Sequence, residues 1–136
     1  MIVRNSFISV ASAGIWINLC EFIRNELLFK YKWVEHFASM GLVFPSETLN
    51  NVMWVIWGFS IAFLVWLISR RFSIAATFGI VWFACIFLMW IVTWNLSVLP
   101  LNVLWWALPL SMVEVYGAVL ITRFLSKKPS QSRLRG

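Results

Sequence analysis

Charge is what this sequence has least of. Only 12% of its 136 residues are Asp, Glu, Lys or Arg, and 62% are hydrophobic, with a mean hydropathy of +0.86. A soluble domain carries about a quarter charged residues, so the deficit points to a lipid solvent. The placement of the charges makes the point firmer. None occurs from Thr48 to Ser69, and none from Phe72 to Val113. The second run is long enough for two crossings at about 20 residues each. Histidine is present once, as His36, which leaves no pair for a haem and no partners for a metal. The two cysteines, Cys20 and Cys85, fall in apolar runs without metal-site or CxxC spacing, and read as packing residues. No glycine-rich phosphate loop and no nucleophile motif is found, so no cofactor is expected.

What remains predicts an all-α membrane protein. The expected architecture is a four-helix antiparallel transmembrane bundle, with helices at about 7–29, 49–69, 72–95 and 101–125. Residues 1–126 form that domain, and 127–136 read as a basic, disordered tail. Lys30 to Phe44 sets Trp33, Phe37, Met40 and Phe44 at helical spacing, which predicts a short amphipathic helix at the outer interface. Ser46 is the expected N-cap of the second span, with Glu47 in its first turn.

The basic residues Arg4, Arg70, Arg71, Arg123, Lys127 and Lys128 fall on one side of this arrangement. Positive loops stay cytoplasmic, so both termini are expected inside, in a bacterial inner membrane or a eukaryotic endomembrane. The same bias reads as a topology signal rather than a nucleic-acid surface. Membrane lipids and a lipophilic small molecule are the expected partners.

Two carboxylates lie at hydrocarbon depth. An ionised acid at mid-span costs about 2.5–3.5 kcal/mol on insertion scales, so each needs a partner or a proton. Glu21 belongs to a stripe of Ala11, Gly14, Asn18, Glu21 and Asn25 on one face of the first helix. Glu114 shares a face of the fourth with Ala107, Ser111 and Ala118. Depth counting sets Asn18 opposite Glu114, where a hydrogen bond between helices would form. For Glu21 the simpler reading is an ion pair with Arg24 or snorkelling to the nearby interface. Pro109 should free the carbonyl of Trp105 and bend the fourth helix.

Ten Trp and twelve Phe complete the picture. Trp33, Trp54, Trp94, Trp105 and Trp106 suit an outer aromatic belt. Trp16 suits the belt or a lipid-facing site. Trp57 and Trp90 suit it least, and could line a cage for a cationic species.

The segment Asn18-Leu19-Cys20-Glu21-Phe22-Ile23, followed by Phe44-Pro45 and a helix with Trp54, resembles the integral membrane terpene cyclases. Glu114 with Tyr116 looks like that family's second acid, on its last helix. The resemblance implies protonation of an isoprenoid and cation stabilisation by aromatic rings. It implies catalytic roles for Glu21, Glu114 and Asn18, with Trp57, Trp90, Tyr116 and Ser111 around the substrate. That family has more spans, which a homodimer would supply.

Small multidrug-type transporters also have four helices and an acid on the first, but their antiparallel dimers require a weak charge bias. The sequence thus supports three functions. The leading one is acid-catalysed cyclisation or isomerisation of an isoprenoid or lipid-like substrate. The others are proton-coupled transport through a carrier or channel, and service as an accessory subunit of a larger membrane complex.

Overall fold

A computed structural model describes residues 2–126, with side chains from residue 6 onward; the tail at 127–136 lies outside the described residues. Every regular element among them is helical. The helix α1 (Ile2–Phe22) runs into a π-helical turn (Ile23–Leu28), and α2 (Lys30–Ser39) follows. Next come α3 (Thr48–Ser69), α4 (Ile74–Val81), a second π-helical stretch (Trp82–Phe87) and α5 (Leu88–Asn95). A 3₁₀ turn (Leu101–Val103) leads into α6 (Leu104–Ser126).

Four continuous helical stretches are long and apolar enough to cross a membrane: Ser6–Leu28, Thr48–Ser69, Ile74–Asn95 and Leu101–Ser126. Large apolar side chains cover their outsides, Phe7, Ile15, Trp105 and Phe124 being 64–83% exposed. Water would not tolerate that much contiguous apolar surface, whereas acyl chains are its natural solvent. The protein is a membrane protein by this architecture.

The helix α1 packs against both α3 and α6, and α4 closes the bundle against the same two. Hydrocarbon gives no hydrophobic push between helices, so close approach through small residues has to supply the contact. Three glycines do so. Gly14 of α1 receives the ring of Phe59, Gly58 of α3 receives the amide of Asn18, and Gly117 of α6 receives the indole of Trp16. Around these notches Ala13, Ile17, Ile61, Ala62, Val65, Val115, Ala118 and Val119 are fully buried.

Several local details differ from the sequence reading. The helix after the first span stops at Ser39, and Gly41 turns the chain with φ 71°. Phe44 is therefore not on the face of α2. It folds back onto Phe37, edge-on at 5.4 Å between centroids, and onto Trp33 at 6.4 Å. The N-cap of α3 is Glu47 in extended backbone, one residue after the expected Ser46, and it makes no side-chain cap bond. Trp16 is half-buried, and Gly117 opens room for its ring at the helix contact. The helix α6 continues through Pro109 as one element. The two π-helical stretches had no expectation attached to them.

The notches make a differential prediction. A Cβ at Gly117 would stand 2.6–2.9 Å from Trp16, whereas one at Gly79 meets nothing within 4 Å. Gly117→Ala should therefore lower stability in detergent unfolding by about 1–3 kcal/mol. Gly79→Ala should be neutral or stabilising by about 0.5–1 kcal/mol.

Candidate functional site

One face of α1 carries Ser9, Ala13, Trp16, Ile17, Cys20 and, as the second residue of the π-helical stretch that follows, Arg24. That face meets α6 along its length. The Ser9 hydroxyl lies 3.1 Å from that of Ser126, and the Trp16 indole N–H donates to the Glu114 carbonyl at 2.9 Å. Near the other end, Arg24 reaches across to the Glu114 side chain. Its Nη1 donates to Oε2 of Glu114 at 2.6 Å, and its Nη2 donates to Oε1 of Glu21 one turn back. Asn25 then donates to the second Glu21 oxygen at 2.6 Å.

The three charged groups are buried together. The Arg24, Glu21 and Glu114 side chains are 6%, 7% and 0% exposed. With both acids ionised, two carboxylates and one guanidinium would leave one net negative charge. Among the described residues, three of the four carboxylate oxygens have a donor, and Oε1 of Glu114 is buried without one. A buried ion that lacks full pairing is costly at low dielectric.

Helix geometry explains why Arg24 can serve both acids. Side chains tilt toward the N-terminus of their own helix, so the Arg24 stem points back over Glu21 and down α1. The π-helical turn begins at Ile23, and its wide hydrogen bond from Phe29 N–H to the Arg24 carbonyl is 3.0 Å long. Such wide turns are inserted at functional positions more often than elsewhere.

Asn18 is not opposite Glu114. Its amide donates to the Gly14 carbonyl at 2.9 Å and leans toward the Val55 carbonyl at 3.4 Å, so it belongs to the contact with α3. Depth was matched in the sequence reading, but the facing helix was not: Asn18 shares its stripe with Gly14, which packs on α3, one residue around from the stripe that meets α6. Arg24, not Asn18, takes Glu114. The signal for it was present, since Arg24 is the one basic residue within a helical turn of Glu21 on the α6-facing stripe.

The remaining aromatic and hydroxyl candidates are dispersed. Ser111 is buried, donates to the Leu108 carbonyl at 2.8 Å and accepts from the Trp82 indole at 3.0 Å. Trp90 is buried at 9% exposure in the core. Trp57 is half-buried, and its N–H has no acceptor among the described residues. Tyr116 is 46% exposed and meets Phe78 edge-on, away from the acids. Neither of the two best-formed hollows touches the acids: an open cleft of about 580 Å³ beside α2, and one of about 330 Å³ at Leu67–Phe72. No group of three or more His, Cys, Asp and Glu side chains suited to a metal ion occurs among the described residues. No family model, no curated protein and no solved structure matches this chain.

The charge count sets the order of two substitutions. Arg24→Gln leaves two buried carboxylates unopposed, whereas Glu114→Gln leaves a neutral Glu21–Arg24 pair. Arg24→Gln should cost about 3–5 kcal/mol in detergent unfolding, and Glu114→Gln clearly less. Adding Glu114→Gln to Arg24→Gln should recover part of the loss.

Proposed function

We propose that this protein is a proton-coupled carrier, with Glu114 as the group that takes up and releases the proton. The observation that carries the reading is the Glu114 carboxylate. One oxygen is held by Arg24 at 2.6 Å, and the other is buried with no donor among the described residues. Adding a proton to Glu114 makes the cluster neutral, because Glu21 alone then balances Arg24. A charge-assisted hydrogen bond of about 1.5–3 kcal/mol between the first and fourth spans is then weakened. That is enough to shift a two-state equilibrium by roughly 10- to 150-fold. Protonation is thereby coupled to the α1–α6 contact, which is what a carrier needs. In this scheme Arg24, Glu21 and Asn25 are positioning residues: Glu21 and Asn25 keep the guanidinium and its partner aligned while Glu114 cycles.

The topology proposed with this function is an antiparallel four-span bundle with both termini cytoplasmic. Contact of Ser9 with Ser126, together with that of Arg24 with Glu114, supports opposite directions for the first and last spans. The basic pair Arg70-Arg71 and Arg123 lie at the same end as Ser9, since Arg123 donates to the Phe72 carbonyl and follows Thr122 within one turn of Ser126. Positive charge at that end favours the cytoplasm.

Acid-catalysed cyclisation needs an acid free to give its proton to a substrate double bond or epoxide. Arg24 holds both candidates, so neither is free in that way, and the carrier reading is the better supported. The carried solute belongs to the lipophilic or small-solute class.

The test is made in proteoliposomes loaded with a pH-sensitive dye, with an inward or outward pH step and ethidium or tetraphenylphosphonium as lipophilic-cation probes. Wild-type protein should move protons in exchange for a probe, and folded Glu114→Gln protein should do so at least about tenfold more slowly. Absence of any pH-driven movement, or equal rates for the two proteins, would sink the reading. Conversion of an isoprenoid epoxide by the same preparation, lost in Glu114→Gln, would replace it with the cyclase.

A further inference from the structure

The polar face of α2 is unused by the buried cluster. Lys32, Glu35, His36 and Ser39 recur at offsets of three, four and seven, which sets them on one side of that helix. They face the segment between α5 and α6 across an open cleft of about 580 Å³. That volume lies within the usual range for small-molecule sites. One edge of the cleft is fixed. Nε2 of His36 lies 2.9 Å from the Ser97 carbonyl, and Ser97 is held at φ 59°, in the left-handed region that few non-glycine residues adopt.

The charges in the cleft have no ion-pair partner among the described residues. Lys32 and Glu35 are three residues apart on a helix, a spacing at which opposite charges usually pair. Just before them Glu26 and Lys30 do pair. Among the described residues, neither Lys32 nor Glu35 has an ion-pair partner; the Lys32 ammonium sits over the rings of Phe29 and Tyr31, at 5.7 and 5.8 Å. The cleft thus offers one positive and one negative group, not paired with each other, on a lining with no net charge. A purely anionic guest would meet Glu35, and a purely cationic one would meet Lys32. A guest with both charges satisfies both.

We infer that this cleft binds a zwitterion of the phosphoethanolamine type, with its ammonium at Glu35 and its acidic group at Lys32, and with the Ser97 hydroxyl as a further donor, the Ser39 hydroxyl being already donated to the His36 carbonyl at 2.7 Å. The chemistry is shared by a phospholipid headgroup and by a free soluble zwitterion. The surroundings favour the lipid. Trp94 and Leu101 line the cleft and are 60% and 55% exposed, and Trp105, one turn on, is 83% exposed. All three are at the ends of candidate spans, the positions at which aromatic residues of membrane proteins meet headgroups. The site is independent of proton exchange at Glu114, and its failure would leave that reading untouched.

Native mass spectrometry of the full chain, released from detergent after equilibration with one lipid at a time, tests the inference. Phosphatidylethanolamine should be retained about fivefold or more over phosphatidylglycerol and over diacylglycerol, as expected for one or two partly exposed charge contacts. Glu35→Gln and Lys32→Gln, both surface changes checked by circular dichroism, should each abolish that preference. Glu26→Gln, which removes an already paired carboxylate, should preserve it. Soluble phosphoethanolamine is the second arm. Displacement of the lipid by it confirms headgroup recognition, and binding of it without any lipid preference keeps the site but assigns a soluble source. Equal retention of the three lipids together with no binding of free phosphoethanolamine overturns the inference, as does a preference unchanged in both cleft variants.

Discussion

A single guanidinium shared between two acids is the constraint on which the rest of this bundle depends. Arg24 has to be long enough to reach Glu114 on another helix while keeping Glu21 on its own. Each partner alone would be an uncompensated charge in a medium that solvates charge poorly. The contact between α1 and α6 must therefore be close along its whole length, and the glycine notch under Trp16 allows it. The Trp16 hydrogen bond to the Glu114 backbone then fixes the same residue whose side chain Arg24 holds. Backbone and side chain of Glu114 are both anchored from α1, so rotation of either helix would disturb the charge cluster first.

The helix α3 depends on the same constraint from the other side. Because one stripe of α1 is committed to α6, the adjacent stripe of Gly14 and Asn18 is what remains to face α3. There Gly58 and Phe59 take the complementary roles. The interlock is reciprocal: a ring from α3 fills the gap on α1, and an amide from α1 fills the gap on α3. The third span is attached by lighter means, among them the Trp82 hydrogen bond to Ser111, donated from the start of its π-helical stretch.

Much of the framework could be read in the sequence. The uncharged runs from Thr48 to Ser69 and from Phe72 to Val113, broken by Arg70-Arg71 and Pro100, mark three of the four apolar helices, and Glu21 and Glu114 stand out against hydrocarbon. The pairing was less legible. Matching residues by depth brings Asn18 level with Glu114, but depth says nothing about which of two neighbouring stripes faces which helix. Arg24 was legible as the ion-pair partner of Glu21, but its reach to Glu114 was not, because its Cα is near the end of the span. Its terminal nitrogens, several ångströms deeper, decide its role. The π-helical turns have no compositional mark at all, being set by how the surrounding turns pack.

The order in which the cluster is made has a consequence for biogenesis. Glu21 and Arg24 lie three residues apart and neutralise each other, so the first span can leave the translocon with its own counter-ion. Glu114 is 90 residues further along the chain than Arg24. At about 5–20 residues per second of synthesis, the first span waits roughly 5–18 s for the residue that completes its charge cluster. During that interval the self-paired helix is tolerable to lipid. The last span is the exposed one, because Glu114 enters the membrane without a counter-ion on its own helix and must find Arg24 already in place. A chain truncated before its last span would insert quietly, whereas a last span without a first would be a substrate for membrane quality control.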